Sequence, residues 1–373
     1  MPSPAAASLD ALSVEELSRG QFESLRPEWE ALLERSGQGE PFLRHDFLMA
    51  WLDNFAPEAP LRLLAARERG RLVAALPLLD EAGRIWGVPV RRLRPPANVH
   101  SCRFDLVAEP ERPDAVAALW SHLKALGRFD VLLIPDVPED GRARSLLDLA
   151  RADGWRVAEW ESMRTPYVPL DGGYDAVVGR TDAKFRQNLR RRARKLAARG
   201  RVEVQRCSGG PDLEGLLEEG LALEQAGWKG RGGTAVAQDP AARGFYAEWA
   251  RQAALEGRLS LYFLRLSGET VAFQFGVEEG GVYYLPKTAY REDHADCSPG
   301  QLLLEAVLRD ACQRSLRRFD FLGPPMPWKR EWTSLARVHH WLYAFAPTRR
   351  GGLAWALKFR AGPWAKEVLG WRR

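Results

Sequence analysis

Residues 61–79, LRLLAARERGRLVAALPLL, and residues 259–277, LSLYFLRLSGETVAFQFGV, align without a gap at an offset of 198 positions. Leu61 meets Leu259, Arg67 meets Arg265, Gly70 meets Gly268, and Val73-Ala74 meets Val271-Ala272. Each stretch reads as a strand, a short glycine-containing turn and a second strand. Upstream the offset continues, with Phe47 and Trp51 matched by Phe245 and Trp249 at helical spacing. Downstream, Arg128-Phe129-Asp130 and Arg318-Phe319-Asp320 each open an apolar strand at an offset of 190. The segments before them, Pro113 to Leu126 and Pro299 to Ser315, are amphipathic helices. A repeat dictates architecture, so the expected fold is an α/β unit with a mixed sheet, present in two tandem copies.

The boundary is expected between Pro166 and Thr181, where Pro169, Gly172, Gly173 and Gly179 interrupt the periodic structure. Domain one is then 1–168 and domain two 169–373. The 373 residues exceed the size at which single cores stop growing, which also favours two domains.

Composition narrows the class. With 46% hydrophobic and 28% charged residues the chain reads as globular rather than disordered. No apolar run approaches the roughly 20 residues that span a bilayer, and acids at Asp10, Glu15 and Glu16 argue against a signal peptide. A cytoplasmic, soluble protein is expected. Four separated cysteines and six scattered histidines form no chelating spacing, so no metal is expected.

The net charge of +5 is unevenly spread. From Arg180 to Arg206 there are nine Arg and two Lys against Asp182 and Glu203. The tail adds Arg349, Arg350, Lys358, Arg360, Lys366, Arg372 and Arg373 among Trp355, Phe359, Trp364 and Trp371. Both are candidate contacts for anionic partners, a nucleic acid for the first and a membrane surface for the second.

The second copy carries the more distinctive residues. Lys184 to Arg199 reads as a helix with Phe185, Leu189, Ala193 and Leu196 on its buried stripe and Gly200 as its stop. A helix from Asp212 to Gln225 leads into a glycine-rich loop, Ala226 to Thr234, that lacks any phosphate-loop spacing. A hairpin turning at Ser267-Gly268 is followed by a third strand, Gly281 to Thr288. Then come Ser298, Pro299, Gly300 and Gln301, which fit an N-cap, a first helical position and a capping box. Such a helix start presents backbone N–H groups and a positive dipole end to an anion.

That order of elements resembles the GNAT acyl-CoA N-acyltransferase core. Glu224-x-x-x-Trp228-Lys229-Gly230, Ser298-Pro299-Gly300, and Asp320-Phe321-Leu322-Gly323 followed by Lys329-x-x-Trp332 resemble the CelD/BcsL-like branch, associated with cellulose and exopolysaccharide synthesis. The stretch is also similar to the FemAB peptidyltransferases, which share a doubled fold. Phe185 to Arg191 looks like their basic helical entry, and Asp320 to Lys329 like their Asp-x-x-Gly…Lys element.

The resemblance implies transfer of an acyl group from acyl-CoA to the amine of a small molecule, amino sugar or amino acid. The alternatives are an aminoacyl-tRNA donor bound by the Arg180 to Arg206 face, and a non-catalytic, membrane-peripheral assembly factor. Phe273, Phe275, Val277, Ser298, Gly300 and Gln301 are the expected donor-binding residues. Glu224, Tyr290 and His294 are candidate bases, and Tyr284 or Tyr290 candidate donors to the leaving thiolate. Lys287 and Lys329 are candidates for contact with phosphate or carboxylate. Trp228, Lys229, Tyr284, Asp320, His100 and Arg103 complete the expected substrate set, the last two in domain one. Cys297 is read as structural, because no histidine is placed to activate it.

Overall fold

The computed structural model describes residues 12–226 and 236–361. The strands are β1 (Ser13–Leu17), β2 (Leu61–Glu68), β3 (Arg71–Ile85), β4 (Val88–Arg94), β5 (Val107–Ala108), β6 (Val131–Pro138), β7 (Arg156–Pro169), β8 (Val202–Cys207), β9 (Leu259–Leu266), β10 (Glu269–Glu279), β11 (Val282–Tyr290), β12 (Arg318–Asp320) and β13 (Ala336–Phe345). The helices are α1 (Arg19–Ser24), α2 (Arg26–Ser36), α3 (His45–Phe55), α4 (Pro113–Leu126), α5 (Ser145–Ala152), α6 (Gly173–Gly179), α7 (Ala183–Ala197), α8 (Leu213–Ala226), α9 (Pro240–Leu255), α10 (Pro299–Gln313), α11 (Pro327–Arg330) and α12 (Arg349–Trp355). Among the described residues, no helix is long and apolar enough to cross a membrane.

Two compact units result. Of the described residues, the first holds 12–52, 56–162 and 338–361, the second 53–55, 163–226 and 236–337. In the first unit β1, β2, β3 and β4 pair antiparallel in that order, β6 joins β4 in parallel, and β13 joins β6 antiparallel. In the second, β8 to β11 pair antiparallel, β12 joins β11 in parallel, and the end of β7 joins β12 antiparallel. The order of pairing senses is the same in both, while the sixth strand comes last in sequence in the first unit and first in the second. The division differs from the expected cut after residue 168, because, among the described residues, 338–361 return to the first unit.

The repeat is physical as well as sequential. Arg69-Gly70 and Ser267-Gly268 both have positive φ at each residue, as do Trp86-Gly87 and Gly280-Gly281 one hairpin later. This is the backbone of type I′ turns, whose twist matches that of the strands they join. Arg67 bonds to Glu15 on β1, to Glu28 on α2 and to the carbonyl of Gly70. Arg265 does the same in the second unit, reaching Gln205 on β8 at 2.7 Å, Glu219 on α8 at 2.9 Å and the Gly268 carbonyl at 3.4 Å. One guanidinium thus ties a strand, a helix and a turn in each copy.

Helices cover both faces of the second unit's sheet. On one face Tyr262, Leu264, Tyr283 and Leu285 pack with Leu303, Leu304, Val307 and Leu308 of α10 and with Phe185, Leu189 and Leu196 of α7. On the other, Phe275 meets the rings of Tyr246 and Trp249 on α9, and Phe273 lies against Gly220 of α8, where a Cβ would come within 2.5 Å of its ring. α7 begins one residue before the expected Lys184, with Asp182 accepting the Lys184 N–H at 2.9 Å.

Candidate functional site

The distinctive geometry of the second unit is the parting of β11 from β12. They pair from Val282 with Arg318 to Tyr284 with Asp320. There β12 ends, and the chain turns off through Leu322 and Gly323, both at positive φ. β11 continues to Tyr290, its register with β10 slipping by one between Phe275 and Val277. Pro286 sits in this irregular stretch, where a residue without an N–H is tolerated. Beyond Tyr284 the edge of β11 that β12 had covered carries no strand among the described residues.

Paired residues on neighbouring strands point to the same face. Lys287 pairs with Phe275 and Tyr284 with Val277, so both face α8 and α9, and Asp320, opposite Tyr284, joins them. The Lys287 ammonium lies 3.9 Å from a carboxylate oxygen of Glu224, whose side chain is 1% exposed. It also sits 5.3 Å from the centre of the Tyr246 ring. The second oxygen of Glu224 accepts the backbone N–H of Val236 at 3.1 Å. Tyr284 and Asp320 are both buried. Burying a carboxylate costs several kcal/mol unless it is compensated, here by an ammonium and a backbone donor. Glu224, Lys287, Tyr284 and Asp320 of the expected set therefore share one face beside the uncovered edge of β11. Tyr246 was not singled out, because an aromatic beside Phe245 and Trp249 reads as core.

Tyr290 ends β11, 36% exposed, with its ring against Gly300, where a Cβ would lie 3.4 Å away. Gly300 thus lets the ring approach the first turn of α10. The cap differs from expectation. Ser298 adopts a left-handed conformation and its side chain makes no cap bond. Gln301 is instead spent on packing. Its amide donates to the Trp328 carbonyl at 3.0 Å and to Glu331 at 2.8 Å, while its oxygen accepts from the Trp332 indole at 2.7 Å. A buried Gln side chain so occupied is unsuited to donor contact.

Before α10, Asp296 pairs with Lys195 and Arg199 of the α7 region, and these cations hold its carboxyl well below the usual range. His294 lies 3.3 Å from Arg199. Cys297 is fully buried and burial pushes its thiol up, which agrees with a structural role.

Lys329 is 5% exposed and donates to the carbonyls of Leu322 and, at 3.0 Å, Pro324. Asp320 accepts the Leu322 N–H at 3.0 Å. Lys329 therefore pins the turn that leads out of Asp320, where the sequence placed it as a contact for a phosphate or carboxylate of the substrates.

Phe273, Phe275 and Val277 need a larger correction. β10 is a central strand, paired with β9 and β11 through all three residues, so their backbone has no edge to offer a donor. The uncovered edge belongs to β11. Trp228 and Lys229 lie outside the described residues, as do Lys366, Arg372, Arg373, Trp364 and Trp371 of the tail. In the first unit His100 sits in the turn from Asn98, whose side chain accepts its N–H at 3.0 Å. Arg103 is buried, 3.3 Å from Glu40 and stacked over Phe42, so it serves that unit's interior.

Residues 183–330 match the family model of an acetyltransferase (GNAT) domain. No curated protein matches the sequence. Among solved structures, FemX aligns over 92% of this chain and 99% of its own, at 13% identity and a TM-score of 0.62. A tandem GNAT protein from the clavulanic acid biosynthesis pathway aligns over 91% and 100%, at 16% identity and a TM-score of 0.52. L-PGS from Bacillus licheniformis aligns over 90% and 96%, at 13% identity and 0.52. At such identities the likeness is one of fold.

Proposed function

We propose, for a chain with the doubled GNAT fold whose residues 183–330 match the family model of a GNAT acetyltransferase domain, N-acyl transfer from acyl-CoA to the amine of a small molecule, amino sugar or amino acid. An exopolysaccharide or cell-envelope component is the proposed product class. The observation that carries the reading is the Glu224–Lys287 pair beside the uncovered edge of β11.

In this reading the donor lies along β11 beyond Tyr284, its amide groups pairing with the free edge of the strand. The acceptor nitrogen attacks the thioester carbonyl, the C–N bond forms and the C–S bond breaks. Glu224 takes the proton released by the nitrogen, and Tyr284 or Tyr290 supplies one to the departing thiolate. Lys287 balances the Glu224 charge and holds it in place, and Asp320 orients the acceptor on the same face. No nucleophile of the protein is needed, so the chemistry rests on positioning and proton transfer.

A second reading, an aminoacyl-tRNA donor, draws on α7. Arg190, Arg191 and Arg194 are exposed there, and none has an ion-pair partner among the described residues. Lys195 and Arg199 are engaged by Asp296.

The deciding experiment is a thermal-shift titration with acetyl-CoA beside a tRNA-binding assay over a salt series. The first reading expects a rise in Tm with acetyl-CoA that changes little with salt, and acylation of an amine panel. Binding of tRNA that falls steeply with salt, with no response to acetyl-CoA, would overturn it in favour of the second. No response to either would leave the non-catalytic assembly role.

A further inference from the structure

In the first unit α12 runs on into a π-helical turn, Ala356–Ala361. Single π-turns are uncommon and recur at functional sites. This one carries Lys358 into a group of aromatic rings. The ammonium lies 4.5 Å from the centre of the Trp160 ring, 5.0 Å from that of Tyr343 and 5.6 Å from that of Phe359. Trp341 stacks on Trp160 at 6.1 Å, and Phe359 meets Tyr343 edge-on at 5.4 Å. The rings thus hold one another in place.

A carboxylate stands with them. Asp136 accepts from the Trp341 indole at 2.9 Å and from Ser162 at 2.8 Å. Burial, and after it Asp136, push the Tyr343 hydroxyl up, and burial also raises the Asp136 carboxyl against the lowering by Ser162 and Trp341. Trp160 is 42% exposed, so one wall of the group is open to solvent. Several ring faces, a nearby carboxylate and an open side are what an ammonium site requires, because the faces attract a cation and the carboxylate adds to the field.

We propose that Trp160, Trp341, Tyr343, Phe359 and Asp136 form a binding site for a quaternary alkylammonium group, filled in this structure by Lys358 as a tethered occupant. A primary ammonium is strongly hydrated and gives up that water reluctantly. A quaternary one has no N–H to solvate and makes the better guest. Free choline and the choline headgroup of a lipid both carry this chemistry.

The test is a tryptophan-fluorescence titration with tetramethylammonium, on the wild type and on Lys358→Met, with neopentyl alcohol as a neutral, soluble analogue of similar size. Saturable binding is expected in both proteins, about ten-fold tighter in Lys358→Met, because the tethered competitor is gone. Trp160→Ala, in either background, should abolish it, and the alcohol should give no saturable response. The wild-type arm reads the site even if Lys358→Met does not fold, which a melting curve reports. No saturable binding in either protein, or an equal response to the alcohol, overturns the proposal. Choline set beside phosphatidylcholine vesicles then separates the sources. Binding to choline alone assigns a soluble ligand, and binding to the vesicles a lipid headgroup.

Discussion

The ammonium of Lys287 lies 3.9 Å from the carboxylate of Glu224 inside the second unit, and the pair shares one buried face with the Val236 N–H that Glu224 also accepts. Removing Lys287 takes an ion-pair partner from a carboxylate whose side chain is 1% exposed, and removing Glu224 takes one from an ammonium that is 15% exposed, so the first loss should cost more than the second. Glu224→Gln and Lys287→Met are therefore each expected to lower stability, with the double variant more stable than either. Turnover should behave differently. Glu224→Gln is expected to lower kcat about 100-fold or more, and the double variant should not recover it. Recovery of turnover along with stability would make the pair structural only.

Lys329→Met is expected to destabilise the protein by about 1–3 kcal/mol, since it strands the Leu322 and Pro324 carbonyls. Gly323→Ala should act in the same direction, because Gly323 has φ 57°. Denaturant melts of both variants check this. If Lys329→Met is fully stable yet inactive, the lysine meets substrate directly and the turn-pinning role falls.

Gly220→Ala sets two effects against each other. Alanine is the better helix former by about 1 kcal/mol. A Cβ here would lie 2.5 Å from the Phe273 ring, a clash whose relief costs about 1–3 kcal/mol. The clash should win, and the variant should melt lower. Gly220→Ala with Phe273→Leu should regain part of the loss.

In the first unit Asp105 is buried and accepts N–H groups from Leu106, Arg142, Ala143 and the Gln38 side chain. Burial nevertheless pushes its carboxyl up to about 7 from 3.8. Between those values the folded protein keeps a proton that the unfolded chain has released, so its contribution to stability falls as pH rises through the window. The difference in Tm between wild type and Asp105→Asn should shrink or reverse as pH goes from 4 to 8. A difference that grows with pH would mean that the N–H donors outweigh burial.

The duplication was readable because its marks are local. Glycines at 70 and 268 set the turns, and Arg67 and Arg265 serve those same turns, so the spacing survives in sequence. Glu224, Lys287, Tyr284 and Asp320 were readable as residue types, whereas their shared face depends on the register slip near Pro286. Proline in an otherwise strand-like run was the available signal for it. The assignment of donor contacts to Phe273, Phe275 and Val277 failed because a strand's sequence does not say which of its edges stays uncovered. Gln301 misled for a different reason: the Ser-x-x-Gln spacing of a capping box is present in sequence, but Ser298 is left-handed and makes no cap bond, and the Gln301 side chain is drawn off by Trp332.

The return of β13 to the first unit bears on how the chain comes off the ribosome. β6 has no partner on its outer edge until Val131 to Pro138 meets residues 339–345, some 200 positions later. The first-made half therefore waits, with an open strand edge, while the whole second half is translated. An open edge invites wrong pairing, so a fragment ending at residue 168 should aggregate where the full chain does not. Supplied in trans, residues 336–361 would be the natural rescue. Among the described residues, β13, translated after the second unit, is the strand that closes the outer edge of β6.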